Sequence, residues 1–146
     1  MKLTAFTDYS LRVLIYLAAE PSRRATIAEI ANAFAVSENH LTKVVHLLGK
    51  HGWIDTVRGK NGGMQLARKP ETICIGKVVR ETEGLDLPAE CFSVGGGHCL
   101  ISGSCRLKRV LGEALRAFYS VLDNYTLADI TRNRGVLGKI LMIQAA

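Results

Sequence analysis

The chain has 146 residues and a mass of 15.9 kDa, with 48% apolar and 22% charged residues. That composition describes one folded domain with a core large enough to need no disulfide staples, and it excludes a disordered chain. Nineteen Lys and Arg against thirteen Asp and Glu give +6 at pH 7, which favours a polyanionic partner, and no apolar run reaches the roughly 18–20 residues of a membrane span.

The start of the chain soon meets Asp8 and Arg12 and lacks a small-residue cleavage site, so no signal peptide is expected and the cytoplasm is the expected compartment. Residues 8–19 read as a helix, with Thr7 as its N-cap and Asp8 at the positive end of its dipole. Its few polar positions predict burial on more than one side. Residues 21–24 are a turn. Thr26-Ile27-Ala28-Glu29 is a capping box that opens a second helix to about Phe34. Ser37 then caps a third helix, to about His51, and Gly52 stops it.

Two short helices separated by Ala35-Val36-Ser37 fit a helix-turn-helix. In the third helix Leu41, Val44, Val45 and Leu48 recur at helical spacing and face a core. Asn39, Lys43, His46 and Lys50 lie opposite, with His40 at the edge. Residues 53–57 read as a strand, Gly59-Lys60-Asn61-Gly62-Gly63 as a tight turn with Asn61-Gly62 suited to type I′, and residues 64–67 as a returning strand. A basic-tipped hairpin after a helix-turn-helix is a wing, with Arg58 and Lys60 placed to meet phosphate or a narrow minor groove. The charge agrees. Residues 23–69 hold eight Lys and Arg against three acids, whereas residues 70–90 hold two against five.

Residues 75–83 form another short helix, ending at Gly84. Regularity then lapses: residues 84–104 contain Pro88, five glycines and two cysteines. A long helix follows from about Cys105 to Asp123, roughly 28 Å at 1.5 Å per residue. Its apolar stripe runs through Leu107, Val110, Leu111, Ala114, Leu115, Phe118, Val121 and Leu122. The stripe is long for this chain to cover, so a dimer seam is preferred to packing within one protomer. Thr126 begins a short terminal helix, and residues 136–143 are apolar enough to want a partner surface. The fold class expected is mainly α: a winged helix-turn-helix over residues 1–83, a cysteine-rich cluster-binding loop over 84–104, and a long C-terminal dimerisation helix and tail over 105–146.

The cysteines carry the rest of the chemistry. In a reducing compartment they read as ligands or redox groups rather than bridges. Cys91, Cys99 and Cys105 fall within fifteen residues of a Gly-rich segment, without the paired knuckles of common zinc sites. Three thiolates suit a soft metal or an iron–sulfur cluster, with one ligand missing locally. Zinc with His98 as fourth ligand, a metal-free thiol/disulfide switch and inert cysteines are the competing readings. Cys74, between Ile73 and Ile75, reads as a small buried hydrophobe.

Four stretches together resemble a known family: residues 3–12, residues 57–63, the cysteine segment ending Cys105-Arg106-Leu107-Lys108, and residues 123–129. They resemble the nitric oxide-sensitive repressors of the bacterial Rrf-type iron–sulfur winged-helix regulators. The resemblance implies a homodimer that binds palindromic double-stranded operator DNA in its cluster-bearing form and releases it when nitric oxide nitrosylates or destroys the cluster. It implies Cys91, Cys99 and Cys105 as cluster ligands. Related regulators complete the site with a histidine three residues past the last cysteine, where this chain has Lys108. The better match for the fourth ligand is Asp8, reaching over from the partner subunit. A 4Fe–4S cluster is favoured, with 2Fe–2S the alternative. Asn39, His40 and Lys43 are expected to read or approach bases, and Ser37, Arg58, Lys60 and Asn61 to hold backbone or minor groove. The rivals are a regulator of the same fold sensing iron supply or redox state, and an electron-transfer iron–sulfur protein. No general acid/base pair, nucleophile triad or nucleotide loop points to an enzyme.

Overall fold

The computed structural model describes residues 3–60, 62–84, 89–92, 99–101 and 103–141. Its helices are α1 (Ala5–Ala19), α2 (Ile27–Phe34), α3 (Glu38–Lys50), α4 (Ile75–Glu83), α5 (Arg106–Asp123), α6 (Leu127–Ile130) and α7 (Arg134–Ile140). One hairpin, β1 (Ile54–Val57) with β2 (Gly63–Leu66), lies between α3 and α4.

Helix α1 runs through the middle of the core. Val13, Leu14 and Leu17 are buried there against Ile30 of α2, Leu41, Val44 and Leu48 of α3, and Val78 and Val79 of α4. Each such side chain contributes on the order of 1.5–3 kcal/mol when fully buried. The helix starts three residues before its expected start. Thr4, not Thr7, is the N-cap, and its Oγ1 accepts from Thr7 N at 3.2 Å. The reason is long-range: Glu83, at the end of α4, accepts from Thr4 N at 2.9 Å and from Thr4 Oγ1 at 3.1 Å.

The capping box of α2 forms as expected between Thr26 and Glu29. Ser37 stands at the N-cap of α3, but no hydrogen bond of its side chain caps the helix. In the hairpin, Ile54 pairs with Leu66 and Val57 with Gly63. The closing bond runs from Gly62 N to Gly59 O at 2.8 Å. The turn expected on Asn61-Gly62 includes Asn61, which lies outside the described residues. Ala25 fixes the hairpin from outside: Ala25 N donates to Met64 O at 2.9 Å and Met64 N to Ala25 O at 2.7 Å. Gly63 has φ +144°, and a Cβ there would lie 2.9 Å from Ala25 O, so this close approach requires glycine.

Helix α5 splits the apolar stripe. Leu111, Leu115, Phe118 and Leu122 are half-buried, whereas Leu107, Val110 and Val121 are exposed, in line with Ala114 and Ala117. Helix α5 packs on α4, where Arg80 forks onto Asp123 with two bonds of 2.6 Å. Cys74 is half-buried rather than a core residue. It precedes α4, with Sγ 3.7 Å from Asp123 O. Among the described residues, no helix is long and apolar enough to cross a membrane.

Candidate functional site

The outer face of α3 is set by its inner one. Because Leu41, Val44, Val45 and Leu48 are buried, the helical period turns Asn39, Lys43, His46 and Lys50 outward, and all four are exposed, as are Ser37 and His40. The His40 ring stacks on Tyr9 of α1, with centroids 6.1 Å apart and planes at 26°. A basic side chain at the start of α3 is thus steadied by the first turns of α1.

A groove separates α3 from the hairpin. Thr42, His46 and Lys50 line it from α3, Thr56 and Arg58 from the hairpin side, and Thr26 joins the lining. Arg58 and Lys60 stand exposed at the hairpin tip, and among the described residues neither is in an ion pair. Asn61 lies outside the described residues. The hairpin root is buried through Ile54 and Met64, so the basic tip is carried by a fixed base. Lys50, expected on the outer face of α3 but not as a DNA contact, lines this groove, and so does Thr26, which the sequence marked only as a helix cap. The spacing of Lys43 and Lys50, two turns apart, is a local signal for Lys50. Thr26 has none, because it reaches the groove through the pairing of Ala25 with Met64.

The cysteines lie at the other end of the sequence. Cys91 is half-buried in a 3-10 turn, Glu90–Phe92, whose Phe92 ring rests on Gly112 of α5. Cys99 is exposed beside Leu100 and Ile101, which are exposed too. Cys105 is the N-cap residue of α5, half-buried, and its Sγ accepts from Lys108 N at 3.4 Å. The positive end of the helix dipole therefore faces a sulfur that is negatively charged whenever it ligates a metal. All three thiols are free, as is Cys74. His98 lies outside the described residues.

Among the described residues of this single chain, no three of His, Cys, Asp and Glu are gathered closely enough to hold a metal ion. Asp8 sits instead in a fork with Arg12: Nε donates to Oδ1 at 3.1 Å, and a terminal nitrogen lies 2.9 Å from Oδ2. The donor set itself fits an iron–sulfur group. It has three soft, free sulfurs, one of them at a helix N-terminus, and none is consumed by a disulfide. Lys108, three residues past Cys105, is an ammonium and supplies no fourth ligand.

Known proteins repeat this plan. A family model, Rrf2, described as an iron-dependent transcriptional regulator, matches residues 3–133. The HTH-type transcriptional regulator NsrR of Bacillus subtilis (strain 168) is 49% identical over 145 residues, 99% of this chain and 99% of that one. That of Geobacillus kaustophilus (strain HTA426) is 49% identical over 142 residues, 97% of each chain. Among solved structures, IscR of T. potens is 29% identical with a TM-score of 0.71, over 91% of this chain and 88% of that one. CymR of B. subtilis, the global cysteine regulator, is 26% identical with a TM-score of 0.69, over 91% and 98%. These relatives are regulators rather than enzymes. A helix-turn-helix with an exposed basic face, a hairpin wing and likeness along nearly the whole length make this chain a member of the Rrf2 family of transcriptional regulators.

Proposed function

We propose that this chain is a cytoplasmic, homodimeric repressor that holds an iron–sulfur cluster, senses nitric oxide, and releases operator DNA when the cluster is nitrosylated or lost. The observation that carries the reading is the joining of three free thiols, Cys91, Cys99 and Cys105, to a winged-helix DNA reader within one small fold. Family membership supports it, because the family is described as iron-dependent. When bound, the cluster supplies iron that nitric oxide can attack. A 4Fe–4S form is favoured over 2Fe–2S.

In this reading residues 1–83 read DNA, residues 84–104 carry the cluster, and residues 105–146 pair the protomers. Cys91, Cys99 and Cys105 hold the cluster, and Asp8 from the other protomer supplies the fourth ligand. A carboxylate is a weaker partner for iron than a thiolate, which leaves one position open to a small ligand. To serve, Asp8 must leave its fork with Arg12. The exposed line Leu107, Val110, Ala114, Ala117 and Val121 has the alternating three- and four-residue spacing of a coiled-coil seam and supports pairing through α5. Two α3 helices held by such a seam meet successive major grooves roughly 34–36 Å apart. Asn39, His40 and Lys43 read or approach bases; Ser37, Arg58, Lys60 and Asn61 hold backbone or minor groove.

Purification without oxygen tests the cluster. The protein should be coloured and contain iron and sulfide in comparable amounts. Cys91→Ala, Cys99→Ala and Cys105→Ala should each lose the colour, and Cys74→Ala should keep it. A colourless protein holding zinc would refute the cluster reading.

A further inference from the structure

Trp53 is the one tryptophan of the chain, and its buried side chain lies where three segments meet. Its Nε1 donates to Glu81 Oε2 at 2.7 Å. The same oxygen lies 3.2 Å from Nδ1 of His51. The Arg68 guanidinium stands 4.7 Å from the indole ring centroid and the Lys77 ammonium 5.5 Å from it. His51 ends α3, Trp53 leads into β1, Arg68 follows β2, and Lys77 and Glu81 belong to α4. Ala67 N donates to Trp53 O at 3.0 Å, which closes the root of the hairpin.

One carboxylate of α4 thus reaches the end of the recognition helix and the root of the wing together. The indole N–H is buried, and without Glu81 it would lose the acceptor it has. A two-stranded hairpin has little stability of its own, so its angle to α3 is set by what grips its root. Cation contacts from Arg68 and Lys77 steady the ring but do not fix its rotation, whereas a bond to the indole edge does.

We propose that Glu81 is a positioning residue for DNA binding: through Trp53 and His51 it sets the angle of the wing to α3, so that the wing tip and the outer face of α3 meet one duplex. The proposal rests on the reading above only in that the wing meets DNA, and it holds with or without a cluster. The test uses the full-length protein and a duplex that the parent selects from a random pool. Binding is measured across a salt series for the parent, Glu81→Leu and Glu81→Gln, with melting curves and Trp53 emission for each. Glu81→Leu, which keeps the bulk and removes the acceptor, should melt cooperatively, shift its emission to the red, bind about tenfold more weakly, and show a salt slope about 1 unit shallower as a wing contact is lost. Glu81→Gln, whose amide oxygen still accepts from the indole N–H, should restore most of the affinity and the slope. If Glu81→Leu does not fold, Trp53→Phe, which removes the donor, carries the binding comparison. A folded Glu81→Leu protein with the parent's affinity and slope would overturn the proposal. Failure of the wing reading looks different: Lys60→Ala alone would leave the slope unchanged while Glu81→Leu still weakened binding.

Discussion

Asn39, Lys43 and Lys60 are all exposed, yet they stand on different supports and should do different work. Asn39 and Lys43 project from a helix whose opposite side is locked in the core, which suits the geometric demands of a base contact. Lys60 projects from a loop, where a point charge on a flexible stem suits a phosphate. Lys60→Ala should therefore weaken binding to all sequences and flatten the salt slope by about 1 unit. Asn39→Ala and Lys43→Ala should relax sequence preference, at about 1–3 kcal/mol for a bidentate contact. Binding assays on selected and random duplexes across salt separate the two. Equal losses on both duplexes for all three variants would contradict this division.

The α4–α5 junction shows how an element is held and how it fails. Gly76 lets the end of α5 close on α4, since a Cβ there would meet the Asp123 carboxylate and lie 2.9 Å from its backbone N. Across that contact the Arg80 hydrogen bonds hold the Asp123 carboxyl below its ordinary value of 3.8, against a smaller opposing effect of burial. Hydrogen bonds from Thr126 hold Asp129, in the capping box of α6, below 3.8 as well. A lowered folded value means the stabilisation is present above about pH 4 and is lost as pH falls through that lowered value. The melting midpoint should fall on acidification below pH 4, and Asp123→Asn should flatten that fall. An unchanged acid profile in Asp123→Asn would show that the pair is not coupled to folding. At this scale much was legible in the sequence. The two faces of α3, the capping box of α2 and the paired strands follow from local period and cap chemistry. The start of α1 was not legible, because Glu83 anchors Thr4 from across the chain. Nor was the division of the α5 stripe: a period shows that a face is apolar, not which of its residues α4 covers. The grip of Glu81 on Trp53 joins positions 28 apart and leaves no local mark.

In the whole molecule α4 ties α1 and the root of the hairpin to α5. Its last turn bonds Asp123 of α5 through Arg80, Trp53 through Glu81, and the cap of α1 through Glu83. Beyond Gly84 the chain passes into the segment that carries Cys91 and Cys99. A group held by the cysteines can control DNA binding only through contacts that differ between its states. In the function proposed above, the fork of Asp8 with Arg12 would be one such contact, since the carboxylate cannot serve Arg12 and a metal equally. The most direct test is operator binding by anaerobically purified protein during titration with nitric oxide, with the absorption spectrum recorded on the same samples. Cluster absorbance and tight operator binding should fall together, and Cys105→Ala should lack both from the start. Tight binding that persists after the cluster absorbance has gone would contradict that coupling.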